Sequence, residues 1–360
     1  MKKLLSVFLA VVMLFAIVAC GSNESNDSAE SNSSGITASG ELKPAGSASD
    51  GSDESSAPEK VAKTFGMGVV NGAPALAVAN LTGGFDFSDE NSDIKTNVAV
   101  EKDAPSVIAG LVNGTYDMAI LPLNIAAKQY NAGQLGVKLV SVNIFSVLHV
   151  ITKGEYSSLN DLKGKVVYSV GAGGTPEIVF KNILKENNIG YEDGAVVKDT
   201  EKVYFNAVTE AANVIVALNK GEADFALLGE PVVTQAMAKT GAKIAFSLED
   251  EWKKVHPGVG FVQAGLIVKE SVLAENAYLD ALLKKMTENK AYLTANADKA
   301  VEDLKGIGAT LPALSESTLS RCNIGAESAI ARKADIEAFF SVLSPSDYGG
   351  KLPADEFYAK

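Results

Sequence analysis

The sequence predicts an α/β fold of two lobes, each a mixed sheet flanked by helices, with a ligand cleft between the lobes. Three observations lead there. From Val61 onward β-prone apolar runs alternate with helical stretches; two pairs of segments recur in the same order; and two extended runs are placed to carry the chain between the halves.

The first element precedes the fold. Lys2 and Lys3 lead into an apolar run from Leu4 to Ala19 that ends in Ile17-Val18-Ala19-Cys20-Gly21. A basic start, a short apolar stretch and small residues at its end read as a secretory signal over 1–19. The run is shorter than the ~20 residues a membrane-spanning helix needs. Its last residues resemble the lipobox of bacterial lipoproteins, which implies a lipid on Cys20 after cleavage at Ala19. Residues 20–60 are Ser, Asn, Gly, Asp and Glu with almost no large apolar side chain. Such a stretch buries too little surface to offset its conformational entropy, so it reads as a disordered tether. A long tether on a lipid anchor points to the extracytoplasmic face of a cell membrane, under a Gram-positive wall.

The folded body opens with a strand over Lys63–Val70, the turn Asn71-Gly72-Ala73-Pro74 and a helix to about Leu81. A second strand over Lys165–Val170 is followed by Gly171-Ala172-Gly173-Gly174-Thr175-Pro176 and a helix to about Glu186. In both, Pro falls at the first helical position, where its missing N–H is not needed. Leu76, Val78 and Asn80 then match Ile178, Phe180 and Asn182. A second pair follows: Ile108–Leu121 and Ile215–Leu228 share six of fourteen residues, among them Gly114/Gly221 and Asp117/Asp224. Each reads as an amphipathic helix, a glycine turn and a short buried strand, followed by Pro122-Leu123-Asn124 or Gly229-Glu230-Pro231 at the start of another helix.

Two repeated units make two lobes of similar plan. Lys138–Lys153 is long enough to leave one lobe and enter the other, and Gly260–Lys269 to return. Lobe 1 is then 61–147 plus 263–360 and lobe 2 is 148–262, with hinge crossings near 146–152 and 247–263. Helices from about Ala274 to Leu304, and on through Phe340, complete lobe 1. In open α/β sheets ligands lie beyond the carboxyl ends of the strands, at helix N-termini. The cleft is therefore expected where Asn71–Pro74, Pro122–Asn124, Gly171–Glu177 and Gly229–Pro231 face one another.

Composition narrows the chemistry. With 44 acidic against 32 basic residues and a formal charge of −12, no basic excess exists for nucleic acid. Two Cys and two His exclude a Cys/His zinc site and a disulfide framework. With Cys20 lipidated, Cys322 reads as a small buried apolar residue. His149 lies in an apolar β run and His256 precedes Pro257 in a loop; neither is paired with a nucleophile motif, and no catalytic residue, cofactor or metal is expected. Gly171–Gly174 lacks the Gly-Lys-Ser/Thr of a phosphate loop. Arg321 and Arg332 are the only arginines. An anion clamp in the upstream cleft loops would therefore lack a guanidinium fork.

These motifs, in this order, resemble the solute-binding proteins of bacterial ABC importers, in the nitrate/taurine/alkanesulfonate and thiamine-pyrimidine group. The resemblance rests on Gly72-Ala73-Pro74-Ala75-Leu76, Gly114-Thr115-Tyr116-Asp117, Asp161-Leu162-Lys163-Gly164-Lys165, Gly221-Glu222-Ala223-Asp224 and Lys351-Leu352-Pro353-Ala354-Asp355-Glu356-Phe357. It covers essentially all of Val61–Lys360. It implies a type II periplasmic-binding-protein fold that captures a small molecule and delivers it, as a monomer, to a membrane permease driven by an ATPase. The residues it implies as ligand contacts are Asn71, Gly72, Ala73, Pro74, Leu123, Asn124, Gly171, Gly173, Thr175, Glu177 and Glu230, with Phe145 and Ser146 beside the crossing. Each has a structural alternative: the glycines permit a tight turn, Thr175 caps a helix, and the glutamates complement helix dipoles.

Other functions remain open from sequence. A surface receptor signalling to a membrane sensor uses the same cleft. A cleft enzyme related to iron-using thiamine-pyrimidine synthesis lacks its Cys cluster here, and one related to menaquinone-precursor synthesis fits poorly with export. As for the solute, cleft-side Glu177 and Glu230 would suit a neutral or weakly basic, pyrimidine-like nitrogen heterocycle, with Phe145 or another aromatic stacking on it.

Overall fold

A computed structural model describes residues 60–359; the signal, Cys20 and all but the last residue of the tether lie outside the described residues. The chain forms β1 (Val61–Val70), α1 (Ala73–Leu76), β2 (Phe85–Ser88), β3 (Ser92–Glu101), α2 (Ala104–Asn113), β4 (Met118–Pro122), α3 (Leu123–Ala132) and β5 (Val137–Ile144). Next come β6 (Leu148–Thr152), β7 (Val166–Val170), α4 (Thr175–Glu186), β8 (Gly190–Asp193), β9 (Lys202–Val208), α5 (Ala211–Lys220), β10 (Phe225–Gly229), α6 (Val232–Thr240), β11 (Lys243–Ser247) and α7 (Leu248–Val255). It ends with β12 (Ala264–Lys269), α8 (Glu270–Leu273), α9 (Asn276–Thr287), α10 (Asn289–Ala295), α11 (Ala297–Gly306), α12 (Glu316–Arg321), β13 (Ile324–Ser328) and α13 (Lys333–Ser341).

Two mixed sheets result, ordered β13-β5-β12-β4-β1-β3-β2 and β11-β6-β10-β7-β9-β8. Both contain the same core: three parallel strands, β4-β1-β3 in one and β10-β7-β9 in the other, bordered by an antiparallel strand, β12 or β6. The run Lys138–Lys153 is two strands, β5 in the first sheet and β6 in the second, broken at Phe145–Val147. The return passes through residues 256–263 into β12.

The repeat has a structural cause. Gly114 and Gly221 end α2 and α5 in the left-handed region, with φ 84° and 73°, which glycine adopts without a Cβ penalty. Three residues later the matched aspartates act alike. Asp117 accepts from the Gly66 N–H at 3.0 Å and Asp224 from the Val166 N–H at 2.9 Å, fixing the start of each buried strand to its parallel neighbour. The first junction is so tight that a Cβ on Gly66 would lie 2.2 Å from the Thr115 carbonyl oxygen.

The lobes differ in one consequential place. Met67 pairs with Met118 where Val167 pairs with Phe225, so these strand positions correspond. Six residues separate Met67 from Pro74, and eight separate Val167 from Pro176. Lobe 2 therefore carries two extra residues between strand and helix, within its glycine loop. Gly171 and Gly173 there have φ 78° and 70°.

Two elements depart from the sequence reading. The helix expected from Pro74 to Leu81 stops as α1 after one turn and resumes as a 3-10 turn at Ala79–Leu81. Buried Asn289 supports the break, donating to the Leu76 carbonyl and accepting from the Asn80 N–H. The stretch expected to be helical through Phe340 instead includes β13, antiparallel to β5 with a register shift between Ile324 and Glu327. A five-residue edge strand reading Ile-Gly-Ala-Glu-Ser has no apolar alternation to announce it.

Candidate functional site

The four loops predicted to face one another divide into two unlike pairs. On one side the start of α3 meets the start of α4 directly. Asn124 and Thr175 are each 1% exposed, and the Thr175 hydroxyl donates to Asn124 Oδ1 at 3.1 Å. Asn124 Nδ2 donates to the Gly173 carbonyl at 3.0 Å and to the Asp347 carbonyl at 3.2 Å. The enlarged glycine loop of lobe 2 thus reaches the first helical turn of a lobe 1 helix. Glu177 is turned back into its own loop, accepting from the Gly173 N–H at 2.8 Å and pairing with Lys181 at 2.5 Å. Burial works against the Lys181 ammonium, yet hydrogen bonds to Asp193 and Glu177 outweigh it and raise its pKa above the ordinary lysine value. Beside this contact a groove of about 390 Å³ lies between the lobes, lined by Gly173, Glu177, Lys181 and Asn182 and by Val342 and Asp347. Burial raises the Asp347 carboxyl above its usual range.

On the other side Asn71–Pro74 and Gly229–Pro231 make no direct hydrogen bond to each other among the described residues. The segment between α11 and β13 bridges them. Asn71 accepts from the Thr310 N–H at 2.9 Å and donates to its carbonyl at 3.3 Å. Farther along, Arg321 Nε donates to Glu230 Oε1 at 2.6 Å and Arg321 Nη2 to the Thr234 hydroxyl at 3.0 Å. The Glu230 side chain is fully buried and that of Arg321 is 25% exposed. Of the remaining predicted contacts, Gly72, Ala73, Pro74 and Leu123 shape the helix starts of lobe 1. Ser146 sits at the first crossing and bonds Glu249. Gly171 supports the lobe 2 turn by accepting from the Gly174 N–H.

Three sequence-based inferences about the solute change here. Glu177 and Glu230 are paired with Lys181 and Arg321, so neither is a free acceptor waiting for a basic heterocycle. Phe145 carries the Arg332 guanidinium 5.6 Å from its ring centre, so one stacking face is taken. Arginine is present in the cleft after all, because the chain downstream of both repeats folds back over it.

The minor residues also find places. Cys322 is buried, and desolvation pushes its thiol up to about 12. His256 shares a hydrogen bond with Asn182 Oδ1 at 2.6 Å. His149 is 8% exposed beside Glu230, and burial holds its pKa below 6.5 against the opposing Val147 carbonyl and Glu230 charge. Burial lowers His256 as well. A lowered folded pKa means that below about pH 6.5 the unfolded chain binds more protons than the folded one. Stability is therefore expected to fall as pH drops below that value, until the folded histidines also titrate. His149→Gln should flatten this limb in denaturant titrations between pH 7 and 5; an unchanged limb would exclude His149 as its source.

Among the described residues no cluster of His, Cys, Asp and Glu could hold a metal, and no helix is long and apolar enough to cross a membrane. A recess of about 770 Å³ opens at the opposite end of lobe 2, around Lys165 and Asp224. It lies at the amino ends of β7 and β10, away from the helix starts that face the other lobe.

No family model and no curated protein sequence matches the chain. Solved structures do. An ABC transporter protein from Parabacteroides distasonis is 22% identical, with a TM-score of 0.65 over 82% of this chain and 99% of its own. The ligand-binding component of an ABC-type import system from Staphylococcus aureus, solved with zinc bound, is 12% identical, with a TM-score of 0.59 over 83% and 96%. The periplasmic aliphatic sulphonate binding protein SsuA from Escherichia coli is 15% identical, with a TM-score of 0.59 over 82% and 92%. The likeness bears out the predicted fold: two mixed sheets flanked by helices, in the type II periplasmic-binding-protein arrangement.

Proposed function

We propose that the chain is an extracytoplasmic solute-binding lipoprotein that captures a small molecule between two closing lobes and hands it to an ABC import permease and its ATPase. The observation that carries this reading is the hydrogen-bonded contact between the starts of α3 and α4, made across two chain crossings. Contacts of this kind exist only while the lobes are together, so a solute touching both lobes shifts the population toward the closed form. The crossings at Phe145–Val147 and 256–263 are the hinge, and lobe 2 is the segment between them. Cys20 carries the lipid, 20–60 form the tether, and the protein acts as a monomer on the outer face of a Gram-positive membrane. Binding components of import systems share this fold, which favours transport over sensing or catalysis. A pyrimidine-like heterocycle, if it is the solute, must be read by backbone groups rather than by Glu177 or Glu230.

The test uses Trp252, the single tryptophan, which packs against Phe261 on the return crossing and Phe339 of lobe 1. Pyrimidines, taurine, alkanesulfonates and nitrate are titrated in turn. The solute is expected to raise the melting temperature and change Trp252 emission in the same concentration range. Deletion of the gene should abolish its uptake. Unchanged uptake overturns delivery, and chemical turnover of the bound compound overturns binding alone.

A further inference from the structure

We propose that Arg321 is a positioning residue for closure: carried on a lobe 1 strap, it fastens that lobe to Glu230 of lobe 2 and keeps the Glu230 carboxylate from binding cations. The inference rests on the reading of the two lobes as a closing pair.

Its basis is an asymmetry within the cleft. The α3–α4 side closes through groups on the helices themselves. The α1–α6 side is spanned by the segment from Ile307 to Asn323, which belongs to neither repeat. One end of this strap is held in lobe 1 by the two hydrogen bonds between Asn71 and the Thr310 backbone. Its other end continues into β13, paired with β5. Between these anchors α12 presents Arg321 and Thr318 to the beginning of α6. There Arg321 reaches Glu230 and Thr234, while the Thr234 and Thr318 hydroxyls lie 3.2 Å apart.

Glu230 does not need Arg321 for its helix role. Its carboxylate already accepts from the Thr234 N–H at 3.1 Å and from the Thr234 hydroxyl at 2.9 Å, capping the first turn of α6 within lobe 2. What Arg321 adds is a link between lobes and a counter-charge. With the lobes apart both groups are hydrated; with them together a fully buried carboxylate requires a partner. The pair therefore acts on the open–closed balance rather than on the folding of either lobe. It also fills the position where a cationic solute would otherwise find its acceptor, so the cleft selects against such solutes.

The experiment needs no solute, so its failure would leave the capture reading standing. Spin labels are placed at exposed positions of the two lobes, Val112→Cys and Val216→Cys, in the full chain carrying Cys20→Ser. The distance between them is measured by pulsed electron resonance. With Arg321 intact a single narrow distribution is expected, insensitive to 20 mM guanidinium. Arg321→Ala should raise the separated population about tenfold or more. Guanidinium at ~20 mM should restore the narrow distribution by occupying the vacated partner of Glu230, where sodium at the same concentration does not. Arg321→Lys, which keeps the charge without the fork, should fall between them. A narrow distribution in both variants overturns the proposal, as does a broad one that guanidinium and sodium affect equally. If Arg321→Ala fails to fold by circular dichroism, the lysine variant decides by the same two criteria.

Discussion

Trp252→Ala is expected to destabilise the protein by about 3–5 kcal/mol, the range for removing a large aromatic side chain from a packed core. Trp252 is fully buried on α7 and lies within 4.4 Å of the His256 ring, 5.8 Å of Phe261 and 5.1 Å of Phe339, measured between ring centres. Its indole N–H donates to the Val259 carbonyl at 3.1 Å, so truncation also leaves a carbonyl of the return crossing without its partner. These neighbours belong to different parts of the fold: His256 follows α7, Phe261 lies on the return crossing, and Phe339 lies on α13 of lobe 1. At roughly 2–4 °C per kcal/mol for a body of this size, the melting temperature should fall by on the order of 10 °C. Calorimetry of the variant beside Val112→Ala, whose parent side chain is 66% exposed, separates the expected loss from a generic effect of substitution. A shift no larger than that of the surface control would mean the seam is not packed as described.

Trp252 also marks where sequence reasoning ends. Local signals were enough for the strand-turn-helix units, because Pro74, Pro176, Gly114 and Gly221 each impose a backbone geometry that can be read in place. The matched aspartates were visible as a repeat, but their purpose required the strand pairing that brings Gly66 and Val166 beside them. The inserted pair in the glycine loop was hidden because the helices align at Pro74 and Pro176, whereas the offset arises in the strands before them. The strap was least legible. Arg321 and Glu230 are 91 positions apart, and no periodicity relates them. Counting arginines upstream of residue 321 assumed that cleft residues come only from the repeats. A chain that closes its first lobe last can return a C-terminal side chain to the cleft, and composition carries no trace of that.

The same distinction between folding a lobe and joining two lobes governs Asn124. Its amide makes three hydrogen bonds, two of them to lobe 2 groups, the Gly173 carbonyl and the Thr175 hydroxyl. In Asn124→Ala both inter-lobe bonds are lost while the lobes touch: the Thr175 hydroxyl keeps only its 3.4 Å bond to the Gln263 carbonyl, and the exposed Gly173 carbonyl turns to water. The loss, about 0.5–1.5 kcal/mol for each of the two bonds, therefore falls mainly on the closed state. Apparent affinity scales with the closed fraction, so solute binding should weaken about 10- to 100-fold, mostly through faster release. Melting of the unliganded protein should change little, because these bonds join the lobes and do not hold either lobe folded. Asn131 provides the comparison: on the same helix it donates to the Tyr348 and Lys351 carbonyls, both within lobe 1. Asn131→Ala should lower stability and leave affinity nearly unchanged. Calorimetric titration of both variants with the solute identified by the fluorescence screen distinguishes the roles. If Asn124→Ala loses stability while binding as tightly as the parent, its contacts persist in the open form and the α3–α4 junction is part of the scaffold rather than of closure.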